Sequence, residues 1–150
     1  MTQAPPVALD EETVDRLRNA VMRIGRWLRT ASAYEGLTTT QSGVLATLVR
    51  EGPMRAGDLA EAEAINPTLL SRVLGHLEEA GLVARGADPE DARCVRVSAT
   101  AGGARLLGRL RARRAALLAA GLERMPADRL AALREALPAL EDLVREGERR

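Results

Sequence analysis

At 150 residues, 46% apolar and 29% charged, the chain reads as one globular domain that buries about 70% of the surface its unfolded form exposes, and a disordered chain is excluded. A net charge of +1 excludes an overtly basic nucleic-acid binder, so any positive patch has to come from where side chains point. The single cysteine excludes an internal disulfide and a multi-thiolate zinc site, and no cofactor is implied.

With one Trp, one Tyr and no Phe, the core has to be built from Leu, Ala, Val and Ile, which suits helix-on-helix packing. All 22 basic residues are Arg, spread over the whole chain. A GC-rich genome produces that bias together with Ala and Gly; Arg also forks onto phosphate and guanine better than Lys does. No secretory leader, lipidation motif or 18-residue apolar run is visible, so a cytoplasmic chain with no membrane partner is expected.

Residues 1–9 carry two prolines and no apolar period and read as a flexible arm. From Asp10, Val14, Leu17, Val21, Ile24, Leu28 and Ala31 recur at steps of three and four, one face of a long helix that Gly36 ends. Thr40-Gln41 starts a second helix with Val44, Leu45 and Leu48 inward, and Gly52-Pro53 stops it. A short helix is expected from about Arg55 to Ala62, with Leu59 and Ala60 facing the core. Asn66 then supplies an N-cap, Pro67 the first helical position and Gly81 a left-handed C-cap. Gly75, in the middle of that helix, costs roughly 1 kcal/mol against alanine.

A two-stranded hairpin follows as residues 82–85 and 94–97 around a charged tip, with Val95 and Val97 alternating against Cys94 and Arg96 on a half-buried strand. Thr100 caps another long helix through Leu106, Leu107, Leu110, Leu117 and Leu122, which Met125-Pro126 breaks. In the last helix Leu130, Leu133, Leu137, Leu140 and Val144 step 3-4-3-4, and Pro138 is expected to bend it or remove one backbone bond.

These elements make a mainly α fold with a small β-wing. A helix delivered by a tight turn and followed by a charged wing can read double-stranded DNA, the helix in the major groove and the wing in the neighbouring minor groove. The long terminal helices carry more apolar surface than one chain can cover, which predicts a two-fold homodimer. Local charge cuts partly against the DNA reading: residues 53–100 balance to −3 and residues 101–125 to +5.

The chain resembles the MarR family of winged helix–turn–helix regulators. The resemblance rests on Leu37-Thr38-Thr39-Thr40-Gln41, on Gly57-Asp58-Leu59-Ala60, and on Thr68-Leu69-Leu70-Ser71-Arg72-Val73-Leu74 with Leu77-Glu78-Glu79-Ala80-Gly81-Leu82-Val83. Asp88-Pro89-Glu90-Asp91-Ala92-Arg93 is similar to the family's wing. It implies a single domain over residues 10–147, in which a winged helix–turn–helix core at 37–100 is flanked by dimerisation helices at 10–35 and 101–147.

On this reading Asn66, Thr68, Ser71 and Arg72 meet bases and phosphates from the recognition helix, with Arg72 the candidate for a bidentate guanine contact. Leu69 reads a thymine methyl or simply packs. By resemblance Arg93 enters a minor groove, and Asp91 holds it in place. Arg85 and Arg96 are candidate phosphate contacts, as are the backbone amides around Thr40 and Gln41 at a helix N-terminus. His76, exposed on the recognition helix, meets phosphate or solvent, and with Cys94 it makes no metal site. Cys94 reads as an ordinary strand residue, with a redox switch as the other reading.

No Ser/His/Asp or Cys/His set, glycine-rich phosphate loop or paired catalytic carboxylates support an enzyme. The reading is a homodimeric regulator of a pseudo-palindromic operator, a repressor released by a small aromatic or anionic effector. By resemblance the effector would sit in a crevice beside the dimer helices, where Trp27 and Tyr34 are the aromatic candidates and Arg23 or Arg26 pairs an anion. Two other readings stay open: a DNA-binding regulator without an inducer, and a winged-helix module for protein–protein contact.

Overall fold

The computed structural model describes residues 10–149, and the arm expected at residues 1–9 lies outside them. In chain order the elements are α1 (Glu11–Tyr34), α2 (Thr39–Glu51), β1 (Met54–Arg55), α3 (Ala56–Ala62), α4 (Pro67–Glu79), β2 (Val83–Ala87), β3 (Val95–Ala99), α5 (Ala101–Leu122) and α6 (Ala127–Glu148). They fall into two compact units that meet between Arg114 and Ala115.

In the first unit α2, α3 and α4 close around an aliphatic core. Val44, Leu45 and Leu48 of α2, Leu59 and Ala60 of α3, and Leu70, Val73, Leu74 and Leu77 of α4 are buried together, with Val83, Val97, Leu106 and Leu110 against them. Each fully buried Leu contributes about 1.5–3 kcal/mol, so the absence of Phe is no obstacle to a core of this size.

Helix α2 starts one residue before the expected Thr40. Thr38 caps it, its Oγ1 accepting from Gln41 N at 3.2 Å while Gln41 Oε1 accepts from Thr38 N at 2.9 Å. This reciprocal pair needs a hydroxyl three residues before a Gln, and only Thr38 in the Thr38-Thr39-Thr40 run has that spacing.

The sheet has three strands in the order β1-β3-β2, not the two of a simple hairpin. Met54 pairs with Val97 and Arg55 with Arg96. Two residues after Gly52-Pro53 are too few to show a period of two, so β1 is invisible to pattern reading. Arg55 accordingly lies in the strand, and α3 begins at Ala56. Val95 departs from expectation as well: Val97 is 1% exposed, but Val95 is 50% exposed. Val95 pairs with Ala87 at the tip end of the hairpin, past the reach of β1 and the core.

The turn between α3 and α4 holds Ala64 at a φ of 51°, in the left-handed region. A non-glycine residue there costs about 1–2 kcal/mol, partly offset by the greater unfolded freedom of glycine. Ala64→Gly is therefore expected to stabilise the protein by about 0.5–1 kcal/mol. A urea titration checks this, and a loss of stability would show that the Ala64 methyl contributes packing.

The second unit holds the end of α5 and α6. Leu117, Leu118, Leu122, Leu130, Leu133 and Leu140 are half-buried there, and α6 runs unbroken through Pro138. Leu122, Leu130, Leu133 and Leu137 line an apolar groove of about 390 Å³.

Candidate nucleic-acid interface

Helix α4 is built to show one face. Asn66 Oδ1 accepts from Leu69 N at 2.8 Å, and Pro67 takes the first helical position. With Leu70, Val73, Leu74 and Leu77 turned into the core, the helical period turns Thr68, Leu69, Ser71, Arg72 and His76 to the surface. Leu69 is 37% exposed, so it is not spent on internal packing. Arg72 makes no hydrogen bond or ion pair among the described residues, within its own helix or outside it. Gly75 meets nothing within 4 Å of where a Cβ would stand, and nothing in the structure explains it.

The wing is the β2–β3 hairpin with residues 88–94 at its tip. Asp88 N donates to Cys94 O at 2.9 Å and Cys94 N to Asp91 O at 2.8 Å, closing the loop. Asp91 Oδ1 accepts from Arg93 N at 3.0 Å and lies 3.4 Å from Arg93 Nε, while Cys94 Sγ reaches Asp91 Oδ2 at 3.5 Å. The Arg93 backbone N–H, and then the Cys94 thiol, hold the Asp91 carboxyl below the usual carboxylate range. The Arg93 side chain is 94% exposed.

The other two hairpin arginines face carboxylates of the same chain. Arg85 Nε lies 3.2 Å from Glu78 Oε2 on α4. Arg96 Nε lies 3.1 Å from Asp88 Oδ2 without hydrogen-bond geometry, and Arg96 also reaches Glu90 at 3.9 Å. A phosphate contact from either one would share its guanidinium with a carboxylate already beside it. Of the five Arg in residues 53–100, then, Arg55, Arg85, Arg93 and Arg96 each face an acid, Arg93 while 94% exposed, and Arg72 makes no such pair among the described residues.

Asp88 itself is a residue that pattern reading passed over. Its side chain is fully buried and gathers Arg55 Nε at 2.7 Å, Arg96 and the Glu90 N–H at 2.9 Å. The Glu90 N–H first, then Arg55, drive its carboxyl far below the ordinary carboxylate range, and Asp88 raises Arg55 in return. Because the folded value is depressed, this contribution is complete above the unfolded value of about 4 and is lost only as pH falls below it. The contribution of Asp88 is thus unchanged near neutrality. No local signal marked it, because Arg55 lies 33 residues away in the chain.

At the base of the wing, Thr100 Oγ1 donates to Gly81 O at 2.6 Å and accepts from Gly103 N at 3.0 Å, while Thr100 N donates to Leu82 O at 3.0 Å. The end of α4, both hairpin roots and the start of α5 meet at this joint. The effector candidates lie apart from it, on α1. Arg23, Arg26 and Trp27 are exposed there; Tyr34 ends the helix, and its side chain is outside the described residues. Among the described residues no His, Cys, Asp and Glu group could hold a metal ion, and no helix is long and apolar enough to cross a membrane.

Residues 37–95 match the MarR family model. An HTH-type transcriptional regulator of Mycobacterium leprae is 34% identical over 137 residues, covering 91% of this chain and 96% of that protein. One from Mycobacterium tuberculosis is 35% identical over 136 residues, covering 89% and 95%. Among solved structures, a transcriptional regulator of Thermotoga maritima superposes with a TM-score of 0.78 at 19% identity, over 94% of this chain and 99% of that one. A mutant of MepR from S. aureus, bound to an oligodeoxyribonucleotide, superposes with a TM-score of 0.69 at 15% identity, over 91% and 99%; identities this low show the shared fold alone. The match over residues 37–95, together with relatives about one-third identical along nearly their whole length, shows that the chain belongs to the MarR family of winged helix–turn–helix regulators.

Proposed function

We propose that this MarR-type DNA-binding transcriptional regulator acts as a homodimer, placing α4 of each copy in successive major grooves of a pseudo-palindromic operator. The observation that carries the reading is the pairing of an unengaged Arg72 on the outward face of α4 with a 94% exposed Arg93 at the wing tip. Asn66, Thr68, Leu69, Ser71 and His76 surround Arg72 on that face, and Arg93 reads the adjacent minor groove with Asp91 beside it. Because Gln41 is committed to the cap of α2, the amides of Thr39 and Thr40 are the ones offered to a phosphate. Arg85 and Arg96 can offer phosphate only those guanidinium donors that their carboxylate partners leave open.

Dimerisation is supported by apolar side chains left open on single-chain helices. Val14, Leu17, Val21 and Ile24 on α1 are exposed at helical spacing, Val21 by 55%, as are Leu137, Leu143 and Val144 on α6, Val144 by 59%. Stripes of this kind mark a protein interface. We further propose a repressor whose effector, a small aromatic or anionic molecule, is met by Trp27 with Arg23 or Arg26 and favours a lobe spacing that does not fit the operator.

Fluorescence anisotropy with duplex DNA from the gene's own upstream region, against scrambled duplex, tests the reading at two salt concentrations. Nanomolar binding that prefers the upstream duplex and weakens steeply with salt is expected. Equal, weak, salt-insensitive binding to both would instead favour a winged-helix module for protein contact.

A further inference from the structure

We propose that Asp88 is a positioning residue for the wing, tying the tip of the β2–β3 hairpin to β1 so that Arg93 is presented in one fixed geometry. The inference rests on the reading above that Arg93 meets DNA.

The hairpin needs such a tie because it overhangs its sheet. Strand β1 supplies only Met54 and Arg55, opposite Val97 and Arg96 of β3. Beyond Arg96, the pair Ala87–Val95 has no third strand beside it, and Val95 is half in solvent. An isolated two-stranded ribbon is marginal in water. Asp88 follows Ala87 directly, at the point where support from β1 ends.

Its carboxylate compensates with side-chain contacts. One oxygen accepts from Arg55, the last residue of β1, and faces Arg96 on β3; the other accepts from Glu90 N within the tip. Its own N–H meets Cys94 O, so the loop carrying Asp91 and Arg93 is closed at its base by the same residue. The group is too deep to touch a ligand. What it can do is reduce the conformational freedom that Arg93 loses on binding, which is how a rigid loop gains affinity over a mobile one.

The test is a double-mutant cycle on duplex from the upstream region, with Asp88→Asn, Arg93→Ala and both together, each checked for folding by circular dichroism. Asn retains an acceptor for the Glu90 N–H and loses the charge that holds Arg55 and Arg96. Asp88→Asn alone is expected to raise Kd about five- to tenfold, and in the Arg93→Ala background by less than about twofold. A structural role unrelated to Arg93 would weaken binding equally in both backgrounds, and that result, or no effect in either, overturns the proposal. Arg55→Met, which removes one partner of a part-exposed pair, is expected to act in the same direction and serves if Asp88→Asn does not fold.

Hydrogen exchange separates this proposal from the reading beneath it. Amides of residues 88–94 are expected to exchange at least about tenfold faster in Asp88→Asn while those of α4 are unchanged. If Arg93→Ala leaves DNA affinity intact, the minor-groove reading fails, and exchange alone decides the tie: faster exchange confined to the tip supports it, and unchanged exchange overturns it.

Discussion

Replacing Gly103 with alanine is expected to lower the free energy of unfolding by about 3 kcal/mol, the upper part of the range for overpacking a core. A Cβ at this position would overlap the Leu82 carbonyl oxygen and stand 2.9 Å from Leu45 Cδ1. The side chain of Leu45 can move by a few tenths of an ångström, but the carbonyl cannot. It accepts from Thr100 N at 3.0 Å, and Thr100 is itself tied to Gly81 and Gly103. Relief therefore requires the first turn of α5 to lift away from the base of the wing, withdrawing Leu106 and Leu107 from their buried positions. Urea unfolding at one fixed protein concentration measures the effect. Gly108 in the same helix is the control, since a Cβ there meets nothing within 4 Å; Gly108→Ala should stabilise by about 1 kcal/mol through helix propensity alone. Equal effects at the two positions would mean that α5 is not seated as closely as its backbone indicates.

Arg72→Ala and Arg93→Ala are expected to weaken operator binding in two distinguishable ways. A bidentate Arg–guanine contact is worth about 1–3 kcal/mol of discrimination, and in a homodimer each substitution is made twice, for a combined loss of about 2–6 kcal/mol. For Arg72 that loss should fall on the preferred duplex and leave scrambled DNA nearly unaffected, because the guanidinium has no partner among the described residues whose release would compensate. Arg93 is instead read as a minor-groove contact, sensitive to groove width and not to a base edge. Its loss should weaken binding most where the flanking sequence is A·T-rich and should reduce the salt slope, by about one phosphate equivalent per copy. Anisotropy titrations across salt, with operator, scrambled and A·T-flanked duplexes, separate the two patterns. If Arg72→Ala weakens all duplexes alike, its contact is to phosphate, and base readout falls to Asn66, Thr68, Leu69 or Ser71.

The elements of this fold were legible wherever the signal is local. Asn66-Pro67 and Gly81 bound α4 because a cap, a fixed φ and a left-handed residue act within one turn, and Thr100 caps α5 for the same reason. The aliphatic period of α2 and α3 named Val44, Leu45, Leu48, Leu59 and Ala60 as core, since burial on a helix repeats with its geometry. The charged tip between two strands was likewise visible as a wing, and its exposed Arg93 stands where the chain order put it. All of this depends on neighbours within a few residues.

What required tertiary structure depends on residues far apart in the chain. Strand β1 exists only because β3, some forty residues later, offers it hydrogen bonds; two residues have no period of their own. The ion pairs of the wing were equally hidden. Arg85, Arg96 and Arg72 look alike as letters, yet two of them face carboxylates and one faces solvent. Asp88 reads as an ordinary turn residue until Arg55 is brought 2.7 Å from it across the sheet. By itself the sequence determined which segments are helix, which residues of α2 and α3 enter the core and where the wing lies. Which charges remain free to meet a partner was decided only by folding, because a carboxylate engages whichever arginine the packing brings within a few ångströms.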